Sequence, residues 1–151
     1  MKVSKEIVEQ AIAWRRHLHT HPELGFEEHG TSAFIADTLE GLGMEVHRGI
    51  AKTGVVGVLK RGTSSKSIGL RADMDALPLV ELGDVDYRSK NEGSMHACGH
   101  DGHTAMLLGA ASYLSQHGQF DGTVYFIFQP AEENLAGGRA MVEDGLFERF
   151  Q

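Results

Sequence analysis

Residues 123 to 129 read Thr-Val-Tyr-Phe-Ile-Phe-Gln, a nearly continuous apolar run. An apolar segment of this length is a strand buried on both faces of a sheet, so the remaining residues must supply cover above and below it. They have the pattern to do so. Ile7, Ala11, Trp14 and Leu18 recur at three- and four-residue steps and predict a helix over Ser4 to His19, with Ser4 as its N-cap. Pro22 and Gly25 punctuate a loop, and Phe34, Ile35, Thr38, Leu39 and Leu42 predict a second helix over Thr31 to Leu42, ended by Gly43. Met44 to His47, Gly54 to Lys60 and Ser67 to Arg71 are short, rich in Val, Ile and Leu, and bounded by Gly, Lys and Ser turns, so they read as strands. A third helix is expected from Asp101 or Gly102 to near Gly118, and a short one over Arg139 to Asp144, closed by Gly145; no element is expected for Leu146 to Gln151. Helices and strands alternate, which favours an α/β layer architecture.

Composition narrows the class. A chain of 151 residues, 41% hydrophobic and 23% charged, forms one globular domain with a real core. Its formal charge of −7, with 14 Lys and Arg scattered along it, provides no clustered basic face for nucleic acid. No continuous apolar segment suits a signal peptide or a membrane span, and a single Cys cannot staple the fold. Both point to a cytoplasmic protein without a membrane partner.

Chemistry concentrates at His96-Ala97-Cys98-Gly99-His100-Asp101-Gly102-His103, where one thiol, three imidazoles and a carboxylate share eight residues ahead of the third helix. Thiolate, imidazole and carboxylate are the donors zinc accepts, and the last two also suit manganese, cobalt and nickel. In an extended segment Cys98 and His100 would point to the same side. His96 and His103 are weaker candidates as ligands. The buried run itself ends in Gln129-Pro130-Ala131-Glu132-Glu133. That places Glu132 and Glu133 at the C-terminal rim of a sheet, where open α/β folds bind ligands. Adjacent carboxylates there repel unless a cation lies beside them. One can bind metal while the other handles protons.

A third candidate, the acidic pair Asp73 and Asp75, lies just beyond a predicted strand, and alternation would put both on one side. An acidic turn entering Pro78 explains the pair equally well. Most of the tract Arg15, Arg16, His17, His19 and His21 reads as a solvated helix face and its exit, and it is given no metal role. A rival enzyme chemistry makes Cys98 a thiol nucleophile activated by a neighbouring His, without metal.

Four segments together resemble one family. WRRHLHTHPELGFEE (14–28), GLRADMDALP (69–78), MHACGHDGHTAMLLGAA (95–111) and FQPAEENLAGGRAMVEDGLF (128–147) are similar, in order, to the N-terminal motifs of the hippurate hydrolase and N-acyl-amino-acid amidohydrolase family, which are aminoacylase-like metallopeptidases. The resemblance implies that Cys98, His100 and Glu133 bind a pair of divalent metals (manganese, zinc, cobalt or nickel), with Glu132 as general acid and base. It gives Asp75 an orienting or electrostatic role and leaves Asp73 open. It implies a three-layer fold with helices on both faces of the sheet, as in zinc-peptidase catalytic domains, and cleavage of the amide bond of small N-acyl amino acids. Family members are more than twice as long, with a dimerising lid domain and two further His ligands. Residues 1–151 are therefore expected to be the N-terminal part of the catalytic domain, with homo-oligomerisation carried by the lid. The alternative is a truncated, non-catalytic remnant that binds metal or a partner.

Overall fold

A computed structural model describes residues 3–133 and 135–151. The first helix, α1 (Lys5–Thr20), begins as its sequence dictates, with the Ser4 hydroxyl accepting from the Ile7 N–H at 3.4 Å. The next, α2 (His29–Gly41), starts two residues before the expected Thr31. Its first N–H groups are satisfied from a distance, because the Glu23 carboxylate accepts from Gly30 N at 2.9 Å and Thr31 N at 2.7 Å. No short-range cap signal marks that boundary.

Strands β1 (Glu45–Ile50), β2 (Gly54–Arg61) and β3 (Ser67–Asp73) follow, then helix α3 (His100–His117), strand β4 (Gly122–Gln129) and helices α4 (Gly137–Glu143) and α5 (Leu146–Arg149). The sheet order is β1-β2-β4-β3. β2 pairs antiparallel with β1 and β4, whereas β3 and β4 run parallel, with Asp73 opposite Gln129. A parallel pair needs a crossover, here residues 74–99 followed by α3. β1 continues past the expected His47 because an irregularity after Arg48 restores its pairing at Ile50 with Gly54. The segment after Gly145, expected to carry no element, forms the single turn α5, entered through Gly145 at φ 86°.

Helices cover both faces. Trp14, Ile35, Leu39, Leu108, Phe126 and Phe128 form the larger core between the sheet and the α1–α3 layer. On the other face Ile50, Val56, Met141 and Leu146 form a smaller core under α4 and α5. β4 thus alternates: Val124, Phe126 and Phe128 are buried, while Tyr125 and Ile127 are only half-buried beneath the short helices. Phe126 is fully buried. Truncating a buried phenylalanine costs about 3–5 kcal/mol, so Phe126→Ala is expected to lower the urea midpoint by that stability, whereas exposed Phe147→Ala barely shifts it. Among the described residues no helix is long and apolar enough to cross a membrane.

Candidate metal centre

The parallel ladder of β3 and β4 brings two chain segments to the same rim of the sheet. Met74 N donates to Gln129 O at 3.1 Å, which continues the pairing just beyond β3 and fixes the two exits side by side. Asp73 and Asp75 leave one strand, and Glu132 and Glu133 leave the other. The first residue of α3, His100, lies among all four.

His100 is the centre of this arrangement and is buried. Its Nδ1 faces two acceptors of Asp75, the backbone carbonyl at 2.9 Å and Oδ1 at 3.2 Å, and therefore carries the proton. Its Nε2 is turned to the rim, with carboxylate oxygens of Asp73 at 3.7 Å, Glu133 at 3.8 Å and Glu132 at 3.9 Å. Four carboxylates around one imidazole are tolerable only with compensating positive charge. Arg71 compensates Asp73 by donating from Nη1 to Asp73 Oδ2 at 2.8 Å, while its Nε and Nη2 donate to Gln129 Oε1 across the strand pair. Burial opposes charging His100, but the Asp75 contact and the charges of Asp73 and Asp75 outweigh it and hold the imidazole above its ordinary pKa.

The sequence-predicted residues meet here. Cys98, His100 and Glu133 each offer one donor atom, mutually within 4.8 Å, in a set that could hold a cation. Glu133 Oε1 is buried without a hydrogen-bond partner, which is costly for a carboxylate oxygen unless positive charge faces it. Sulfur, nitrogen and oxygen donors with such an orphan oxygen fit a divalent metal. Asp73, His100 and His103 form a second donor group sharing His100, with His103 Nδ1 against Asp73 Oδ1 at 2.7 Å. His96 is buried, and neither of its ring nitrogens has a partner; burial lowers its pKa to about 4.

Cys98 and His100 converge through a turn, not through an extended pleat. Gly99 adopts φ 95° as the N-cap of α3, so His100 is already helical. Asp73 and Asp75 meet on one imidazole. Asp75 contacts the Nδ1 side of His100 while Asp73 lies toward Nε2, so the two carboxylates bracket one ring. The His-rich tract is corrected in part: His19 is not solvated but buried, contacting Asp101 at 2.8 Å and Glu81 at 3.1 Å. Arg15 adds a 2.9 Å ion pair to Asp101. A histidine at the last turn of a polar helix face gives no local sign of partners 62 and 82 residues away. The thiol nucleophile loses support, because the Glu133 carboxylate against the exposed Cys98 thiol pushes its pKa up to about 11. A protonated thiol is a poor nucleophile.

Asp75 ties the two halves together. Its Oδ2 accepts from Glu133 N at 2.9 Å while Oδ1 faces His100. Burial alone would raise its pKa, but the contacts from His100 and the Glu133 N–H outweigh that and lower it below the ordinary 3.8. A carboxyl with a depressed folded pKa stabilises the fold fully above its unfolded value, and the contribution fades as pH falls through the folded value. Asp75→Asn is therefore expected to destabilise most at neutral pH, with the difference from the parent shrinking below pH 3.8. Urea melts at both pH values check this, and a pH-independent difference would contradict it.

Known proteins share this fold and much of this sequence. The model of Peptidase family M20/M25/M40 matches residues 69–151, more than half of the chain. Hippurate hydrolase of Campylobacter jejuni subsp. jejuni is 58% identical over 136 residues, covering 90% of this chain and 35% of that protein. N-acyl-L-amino acid amidohydrolase of Geobacillus stearothermophilus is 47% identical over 146 residues, covering 95% and 39%. The crystal structure of Bacillus subtilis YXEP protein, described as a dinuclear metal binding peptidase from the M20 family, superposes with a TM-score of 0.89 at 44% identity, covering 95% of this chain and 41% of that one. The chain thus spans between about a third and two fifths of the length of these relatives. A sheet flanked by helices, a rim of paired carboxylates beside Cys98 and His100, and a family model matched from Gly69 through Gln151 lead to one assignment: the chain belongs to Peptidase family M20/M25/M40.

Proposed function

We propose that this chain contributes the metal-binding and proton-handling centre of a hydrolase that cleaves the amide bond of small N-acyl amino acids, of the hippurate or N-acetyl type. The observation that carries the proposal is His100, locked at Nδ1 by Asp75 while Nε2 shares a rim with Cys98, Glu132 and Glu133. Cys98, His100 and Glu133 would hold divalent metal, with two ions in the complete site. A cation there would polarise the scissile carbonyl and acidify water. Manganese, zinc, cobalt and nickel suit these donors, and the thiolate favours the softer ions.

The side chains divide the rest of the work. Asp75 fixes the tautomer and orientation of His100, as carboxylates do behind metal-binding histidines. Glu133 is half-buried and its backbone is tied to Asp75, so it is suited to holding charge in place. Glu132 is exposed on the open side of the rim, where its carboxylate can meet a substrate. It accepts the proton of the attacking water as the carbon–oxygen bond forms, then delivers that proton to the departing nitrogen as the carbon–nitrogen bond breaks. We place the residues in the N-terminal part of a catalytic domain. A cytoplasmic setting fits the single cysteine, which stands in the donor cluster.

Chelation tests the proposal. Treatment with a strong chelator is expected to abolish hydrolysis of hippurate or N-acetyl amino acids, and added manganese or zinc to restore it. Chelator-resistant hydrolysis would overturn it. Metal binding without any hydrolysis would instead leave the chain a metal-binding unit.

A further inference from the structure

We infer that Glu28 is a positioning residue, a buried strut that holds the loop bearing Glu132 and Glu133 at the rim; this rests on the proposed roles of those two carboxylates. Glu28 has no solvent exposure. It occupies the N-cap position of α2 but makes no capping bond, since Glu23 already takes the Gly30 and Thr31 N–H groups. Its side chain turns inward instead and connects two distant segments. Glu28 Oε2 accepts from Thr53 Oγ1 at 2.6 Å, in the turn between β1 and β2, and Oε1 accepts from Ala131 N at 2.8 Å.

Ala131 needs such a partner. It is fully buried, immediately precedes Glu132, and sits at φ 51°, a left-handed conformation that residues with a Cβ rarely adopt. The loop closes tightly around it, with Gly137 N donating to Ala131 O at 2.9 Å. Gly25 lies directly against it, since a Cβ there would stand 3.0 Å from both Ala131 Cα and Cβ. The segment Gly25 to Glu28 therefore buttresses the loop from below, by contact at one end and by a carboxylate at the other. Burying an acid costs free energy unless its oxygens are satisfied, and here the bond to Ala131 secures a strained backbone next to the site. Sequence alone shows Glu28 only as the second of two acids closing the segment 14–28, with no sign of its distant contacts.

The test uses zinc titration of the 151-residue chain by calorimetry, thermal melts and amide hydrogen exchange. Glu28→Gln can keep both contacts, with Oε1 accepting from Ala131 N–H and Nε2 donating to Thr53 Oγ1, so near-parental zinc affinity is expected. Glu28→Leu loses both and is expected to weaken zinc by about 10–100-fold, as loss of supporting groups around metal ligands does. Thr53→Val removes only the far contact and is expected to lower the melting temperature while keeping zinc affinity. Parental affinity in Glu28→Leu, equal loss in Glu28→Gln, or a loss in Thr53→Val matching its drop in melting temperature would each overturn the inference. If Glu28→Leu does not fold, exchange at the Ala131 amide decides: protection in the parent and in Glu28→Gln supports the strut, and free exchange refutes it. Glu133→Gln separates the two levels. If it binds zinc like the parent, the proposed metal centre itself fails; if it weakens zinc while Glu28→Leu does not, only the role of Glu28 fails.

Discussion

Replacing Glu132 with glutamine is expected to remove amide hydrolysis, by about 100-fold or more, while divalent metal binding stays at the parental level. The amide preserves the shape of the side chain but cannot accept a proton from water. Glu132 is exposed on the rim and stands outside the donor set of Cys98, His100 and Glu133. Its loss therefore costs chemistry and not assembly. Glu133→Gln is expected to do the reverse first, lowering metal content, because Glu133 belongs to the donor set and its Oε1 is buried without a hydrogen-bond partner. Initial rates on hippurate alongside metal analysis separate the two. Near-normal turnover in Glu132→Gln would refute its assignment.

Cys98→Ala is expected to weaken zinc and cobalt far more than manganese, because thiolate is the soft ligand of the set. The loss for zinc should exceed the roughly 10–100-fold typical of removing a supporting group behind a ligand. There is also a proton signature. The Glu133 carboxylate beside the thiol pushes its pKa to about 11, so at neutral pH zinc uptake must expel a proton from Cys98. Calorimetry in buffers of different protonation enthalpy reads that proton directly, present in the parent and missing in Cys98→Ala. Equal affinity and equal proton release in the two chains would show that the thiol is not a ligand.

Much of this arrangement is legible in the sequence because it is carried by short-range patterns. The spacing of Ile7, Ala11, Trp14 and Leu18 with Ser4 ahead of them specifies α1, and the apolar run ending at Gln129 specifies a buried strand whose exit holds two carboxylates. What escapes is set by partners remote in the chain. The start of α2 depends on Glu23, and the burial of His19 depends on Glu81 and Asp101. The convergence of Cys98 and His100 depends on a left-handed Gly99, where the spacing alone suggests an extended pleat. Asp73 and Asp75 are visible as a pair, but only the fold shows that Arg71 and His103 contact the first while His100 and Glu133 contact the second.

The parallel pairing of β3 with β4 also has a kinetic meaning. Parallel neighbours cannot be closed by a hairpin, so the chain must complete residues 74–121 before β4 returns beside β3. Such long-range pairing is slow, because loop-closure entropy is lost before the contacts that repay it are made. A nascent chain that has emerged only as far as Phe120 holds Cys98 and His100 but not Glu133. The candidate donors are thus delivered in two instalments, Cys98 and His100 ahead of β4 and Glu133 after it. On the proposed donor set, metal capture would follow the docking of β4 beside β3 and would not seed it.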